Sequence, residues 1–309
     1  MAHKPPTKYA RAVRRTLHWL VEDRRVNEPL AASGEAQYLL CHAQRLHESL
    51  RRLPAPQDEK ERCLVIGSWG LEVPYLKGLL GWREVTCICA PRSASGTVHH
   101  ESRRHPNTGE TYEFELLEHD IESGPLPFED EAFSLVVFWG CFEHLRHDPE
   151  FSLFEMNRVC RPQATVSLVT DNAISFQATH KVILGTPMPM RLHHPAPEGH
   201  WRLYTPPELS ELLAGTGWRV ELLTSIVSDP PVYWKRWKRW LFKKLVADLR
   251  RGFGLCEPYW NAFVLVHATK VRDATRSYPR WLYKDDKIRQ LKIEMMELVS
   301  RDSPVAVSA

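Results

Sequence analysis

The segment that most restricts the fold is Phe133 to Trp139, FSLVVFW, an unbroken apolar run of strand length. It follows the acidic turn Glu129-Asp130-Glu131 and is too short for a surface helix. It therefore reads as a strand buried on both faces, the kind a parallel sheet contains. A helix is expected next. Asp148 can cap it, Pro149 suits its first turn, and Phe151, Phe154, Glu155 and Arg158 carry it to the break at Arg161-Pro162. A second buried strand, Thr165 to Thr170, follows. Strand, helix and strand within about 40 residues make a right-handed crossover unit of a parallel α/β sheet.

The rest of the chain narrows the classes open to it. Its 309 residues are 43% hydrophobic and 26% charged, an ordinary globular balance that can bury one large core with appendages. A net charge of +3 is too small to indicate a nucleic-acid binder, and none is expected as a partner. The seven cysteines, Cys41, Cys63, Cys87, Cys89, Cys141, Cys160 and Cys256, are odd in number and mostly set in apolar segments. They read as reduced, buried thiols of a cytoplasmic protein. The N-terminus is basic and polar, without the apolar segment of a signal peptide, and no apolar run reaches membrane-spanning length.

Three phrases then carry a resemblance. LPFEDEAFSLVV at 126–137, Glu143-His144-Leu145, and Glu155-x-x-Arg158-Val159-x-x-Pro162 resemble, in that order, the second half of the class I S-adenosylmethionine-dependent methyltransferases. One departure stands out. Pro162-Gln163-Ala164 replaces the usual Pro-Gly-Gly turn, so a bend that glycine normally makes is either relaxed or made differently. The resemblance implies a Rossmann-like, doubly wound, mostly parallel seven-stranded sheet with an antiparallel last strand, and S-adenosylmethionine as cofactor.

It also implies where that cofactor sits. Cys63 to Ile66 is the expected first strand, and Gly67-Ser68-Trp69-Gly70 the turn at which backbone must come close to the ligand. The phrase is degenerate: Val65 stands at the usual acidic position, and Trp69 and Leu71 where glycines are usual. A plain strand-to-helix turn explains it equally well. The second strand, Glu84 to Cys89, continues as Ala90-Pro91-Arg92 and lacks the acid that in this family holds the ribose. The third, Thr111 to Leu117, ends at Glu118-His119-Asp120-Ile121, where the resemblance assigns Asp120 to the adenine amino group and Ile121 to the ring; a turn-forming acid is the alternative. Trp139 closes the fourth strand beside the expected cofactor.

Candidate catalytic residues are His144 and His200. An imidazole titrates near neutrality and suits a general base, although Glu143-His144 can equally serve to cap and orient its loop. The segment 171–201 occupies the position of a substrate lid, which Asn172, His180, His193, His194 and His200 can line. No metal site is expected. His99-His100 lies in a polar stretch, Ser93 to Glu110, read as an exposed insertion or a hairpin, and the prolines of HHPAPEGH hold an extended chain. Thr205-Pro206 should start a helix running to Gly215, before strands Trp218 to Ser225 and Asn261 to Lys270.

The expected organisation is an N-terminal helical extension (1–57), an α/β domain (58–271) with a basic helical insertion (231–252), and a C-terminal helical tail (272–309). Helices are expected at 8–24, 35–53 and 284–300. The stretch YWKRWKRWLFKKLVADLRRG, 233–252, carries eight Lys or Arg against the single acid Asp248, with Trp234, Trp237, Leu241 and Leu245 on one helical stripe, a pattern suited to an anionic membrane surface or to packing on the sheet. The functional expectation is methyl transfer to an oxygen or nitrogen of a small-molecule or glycan/lipid-linked acceptor. A non-catalytic, methyltransferase-like scaffold is the alternative, favoured by the missing acids at Val65 and Cys89.

Overall fold

The computed structural model describes residues 45, 46, 48–91, 95–104, 110–183, 185, 199–226, 240, 241, 244, 245, 247, 248 and 261–275. Strand β1 (Arg62–Ile66) lies inside an eight-stranded sheet with β2 (Glu84–Cys89), β3 (Val98–Arg104), β4 (Thr111–Glu118), β5 (Phe133–Trp139), β6 (Cys160–Asp171), β7 (Trp218–Ile226) and β8 (Phe263–Lys270), in the order β3-β4-β2-β1-β5-β6-β8-β7. β4, β2, β1, β5 and β6 run parallel. β8 is antiparallel to both β6 and β7, as expected of the last strand. The order reverses at β1, which places a crevice beyond the carboxyl ends of β1 and β5 where such sheets bind ligands.

All seven residues of β5 are buried, as its unbroken apolar text requires of a strand covered on both faces. Alternation sorts them: Leu135, Val137 and Trp139 join Cys63 and Val65 in one core, while Val136 and Phe138 join Leu64 and Ile66 in the other. Each such side chain contributes roughly 1.5–3 kcal/mol by leaving water.

Among the described residues, the helices between and after these strands include α1 (Val73–Gly78), α2 (Pro149–Val159), α3 (Phe176–Ile183) and α4 (Pro206–Gly215). Asp148 caps α2 by accepting the Phe151 amide at 3.2 Å, with Pro149 in the first turn. Thr205 and Glu208 form a reciprocal capping box at α4.

The sheet has one strand more than the sequence suggests. β3 lies in the polar stretch 93–110 and pairs antiparallel with β4, so of the two readings of that stretch the hairpin holds, with His99 and His100 on its first strand. His99 meets the buried Glu118 at 3.1 Å. Polar composition hides this strand because it sits at the edge with no apolar face of its own to reveal a period of two. The Pro162-Gln163-Ala164 bend is made, not relaxed: Gln163 takes a left-handed φ of 65°.

Of the expected N-terminal helices, 8–24 lies outside the described residues; in 35–53 the described residues from Arg45 to Leu50 are helical, and Leu46, Leu50 and Leu53 are buried. The expected helix 284–300 also lies outside them. Among the described residues, Cys63, Cys87, Cys141 and Cys160 form no disulfide. Among the described residues no helix is long and apolar enough to cross a membrane.

Candidate active site

The β1–α1 loop crosses the crevice with Gly67 at φ +80° and Gly70 at φ +88°. At both, the turn itself requires glycine. A Cβ on Gly67 would lie 2.7 Å from Cys141 Cβ, and one on Gly70 2.3 Å from the Phe114 ring. The loop thus closes directly against the segment that leaves β5. Ser68 braces it from within, accepting the Gly70 amide at 3.0 Å and donating to buried Glu72. Arg103 of β3 donates to the Trp69 carbonyl at 2.6 Å, so the edge strand holds the loop from outside.

Asp120 is exposed at the end of β4, where its Oδ1 accepts the Glu122 amide at 3.0 Å; Ile121 beside it is buried. The carboxylate is a turn-former, yet it keeps further acceptor capacity toward the crevice rim. Trp139 is in the core, its indole N–H donating to Ser167 Oγ at 2.9 Å. No acid follows β2, since Cys89 is buried and Ala90 and Pro91 come next.

The densest polar chemistry lies where β5 and β6 end side by side. The parallel pairing of Trp139 with Val169 brings the turn Phe142–His144 next to Asp171. Glu143 is buried, and its Oε2 accepts the Thr170 hydroxyl at 2.8 Å. Its main-chain carbonyl accepts the Trp201 amide at 2.8 Å, and Ala173 donates to the Tyr204 carbonyl at 3.0 Å. Tyr204 itself is fully buried, its ring 4.6 Å from that of Phe142. These contacts deliver His200: Nδ1 lies 2.5 Å from Asp171 Oδ2, and its ring meets that of His144 edge-on at 4.7 Å. His144 Nδ1 donates to the Gly199 carbonyl at 3.1 Å. Arg45, over the Phe263 ring at 4.8 Å, approaches the same corner at Gly140.

The electrostatics follow from burial. Loss of hydration, reinforced by the neighbouring Asp171 carboxylate, pushes Glu143 up to about 7. The hydrogen bond to Asp171, opposed by burial, raises His200 above the ordinary imidazole value. Burial lifts the Cys141 thiol to about 12, which disfavours the thiolate.

His144 and His200, 56 positions apart in sequence, are therefore brought together. Asp171 and Glu143 are the partners that sequence reasoning did not assign. The available signal was positional, because each stands at the carboxyl end of one of two adjacent parallel strands. Other expected lid residues are placed differently: Asn172 is buried and donates to the Asn261 carbonyl at 2.8 Å, His180 stacks on Phe176, and His193 and His194 lie outside the described residues.

Residues 64–168 match the family described as a methyltransferase domain. That match runs from β1 into β6. No curated protein matches the chain in sequence. Among solved structures it resembles a chain from the complex between the Haloferax volcanii Trm112 methyltransferase activator and a methyltransferase, at 15% identity over 79% of this chain and 96% of that one, with a TM-score of 0.52. That likeness is one of fold. Other similar chains are a SAM-dependent methyltransferase from Aquifex aeolicus (14% identity, 82% and 98% covered, TM-score 0.40) and the Burkholderia thailandensis 1,6-didemethyltoxoflavin-N1-methyltransferase with bound S-adenosylhomocysteine (15%, 88% and 94%, 0.43).

Domains of this class take their methyl group from S-adenosylmethionine, which supplies an electrophilic methyl on a sulfonium. The chain keeps a left-handed glycine turn after β1. It departs at the end of β2, where no carboxylate stands for the ribose.

Proposed function

We propose that this protein transfers a methyl group from S-adenosylmethionine to an oxygen or nitrogen of a small-molecule acceptor seated over Glu143, His144, Asp171 and His200. Gly67, Ser68, Trp69 and Gly70 would face the cofactor's amino-acid end, and Asp120 and Ile121 its adenine. One observation carries the reading: four ionisable side chains converge at the carboxyl edge of β5 and β6, on the segment that touches the cofactor turn at Cys141 and Gly67. Methyl transfer needs chiefly orientation and exclusion of water, and two imidazoles held by fixed partners provide an acceptor with directed polar contacts.

Calorimetric titration with S-adenosylmethionine tests it. We expect one site per chain, weakened about tenfold by Asp120→Ala, the scale of a lost hydrogen bond to a charged group. His200→Ala should leave cofactor affinity nearly intact while lowering turnover. A folded protein that binds neither S-adenosylmethionine nor S-adenosylhomocysteine would instead be a methyltransferase-like scaffold, the reading that the missing acid after β2 favours.

An acceptor carried by an anionic membrane or attached to a lipid is supported by Trp240, Leu241 and Leu245, which are exposed at 62%, 53% and 66% on helical residues within the basic stretch 233–252. Lys244 lies over the Trp240 ring at 5.5 Å. Exposed apolar groups interleaved with cations suit a headgroup layer.

A further inference from the structure

We propose that Glu143, His144 and His200 form a site for one divalent transition-metal ion, and that the acceptor reaches the methyl donor as an oxygen ligand of that ion. One coordinating atom from each of the three residues falls within a set no wider than 4.8 Å. Ligands at about 2.0–2.2 Å from an ion stand roughly 3–4 Å apart, so small side-chain rotations close the set.

The partners of the two rings point the same way. A carbonyl oxygen can only accept, so the 3.1 Å contact from His144 Nδ1 to Gly199 puts the proton of the neutral ring on Nδ1. The lone pair is then on Nε2. Asp171 Oδ2 lies 2.5 Å from His200 Nδ1 and so favours a proton on that nitrogen. Imidazoles that ligate metals are oriented in this way, by a carbonyl or carboxylate on the opposite nitrogen. Glu143 is 2% exposed, and the Thr170 hydroxyl fixes its Oε2, which sets the carboxylate in a single orientation.

The charge balance agrees. Glu143 and Asp171 bring two carboxylates to one corner beside the guanidinium of Arg45. A dication between the rings supplies the positive charge that such a buried group of acids needs. Two imidazoles and one carboxylate suit Mn2+, Fe2+, Co2+ or Zn2+ better than Ca2+ or Mg2+, which prefer all-oxygen shells. Three protein ligands leave coordination positions open, which favours a hydroxyl-bearing acceptor over an amine. The acceptor's place rests on the methyl-transfer reading; the metal site does not.

The test uses the full chain, stripped with chelator and titrated with CoCl2 while the visible d–d absorption is followed, and with ZnCl2 and MnCl2 in the calorimeter. One ion per chain is expected, with the Co2+ bands abolished in His144→Ala and His200→Ala. Glu143→Gln, nearly isosteric, should lose affinity at least as strongly, and Asp171→Asn should lose about 10- to 100-fold through the ring it orients. Circular dichroism checks each fold; if the histidine variants unfold, the Gln and Asn variants decide. Wild-type protein that takes up none of the three ions overturns the proposal, as do folded variants that bind like wild type. Titration with S-adenosylmethionine, with and without metal, separates the readings. Cofactor binding without metal uptake sinks only the metal site, and metal uptake without cofactor binding sinks only methyl transfer.

Discussion

Glu155 and Arg158, one helical turn apart in α2, form a clamp on the loop before β5: Arg158 Nη2 meets Glu155 Oε2 at 2.7 Å. Arg158 donates to the carbonyls of Leu126 and Phe128, each at 2.8 Å, while Glu155 accepts the Leu126 amide at 2.8 Å. Two phrases separated in the chain, LPF and E-x-x-R-V, are thus two halves of one hydrogen-bonded unit. Arg158→Ala should cost about 2–3 kcal/mol in urea denaturation, because it leaves the Glu155 carboxylate buried without its cation. Arg158→Lys should recover only part, since a single ammonium cannot serve two carbonyls and a carboxylate in the fork geometry of a guanidinium.

Gly67 faces two separate penalties on gaining a side chain, a left-handed φ and a clash with Cys141. Gly67→Ala should therefore destabilise by several kcal/mol, of which the conformational part is roughly 1–2 kcal/mol. Adding Cys141→Gly removes the clash but not the strain. The double mutant measured by chemical denaturation should lie nearer wild type than the sum of the two single changes. Strict additivity would mean that the loops do not meet.

Gln163 holds the left-handed conformation that glycine usually supplies at this bend. Gln163→Gly relieves about 1–2 kcal/mol of strain and returns roughly half of that as chain entropy in the unfolded state. A net gain of about 0.5 kcal/mol, read as a small rise in Tm, is expected. A loss would mean that the Gln163 side chain makes a stabilising contact.

Glu150 is fully buried at the start of α2, where burial and then Asp148 push its carboxyl up to about 8. An acid whose folded pKa lies above its unfolded one favours the folded state while protonated. Its contribution is therefore present below about pH 4.5 and is lost as pH rises toward about 8. The positive end of the helix dipole offsets part of this. Glu150→Gln should change stability little at pH 4 and raise it by on the order of 1–3 kcal/mol at pH 8–9. A gain independent of pH would show that the carboxyl is ionised throughout.

The basic stretch makes its own prediction. Wild-type protein should co-sediment with phosphatidylserine vesicles at low salt and be released as salt rises past the range where the screening length is about 8 Å. Leu241→Glu with Leu245→Glu, both at exposed positions, should abolish binding without altering the thermal transition. Vesicle binding that survives the double substitution would remove these residues from the contact.

The sequence alone determined the local elements and their order. The apolar run of β5, the Asp148-Pro149 start of α2, the Thr205-Pro206 start of α4 and the strands on either side each follow from patterning and capping among neighbours in the chain, and the family phrases lie within them. Tertiary structure decided the partners. Nothing in the sequence spacing says that His200 reaches Asp171, or that Glu143 receives the Thr170 hydroxyl, because those meetings depend on β5 and β6 pairing in parallel and on the Tyr204 segment docking across their ends. It also decided that polar β3 is a strand, since an edge strand gains its order from main-chain hydrogen bonds to β4. Patterning reports which face of an element is apolar; only packing brings ionisable residues from distant elements into one low-dielectric corner, where their chemistry begins.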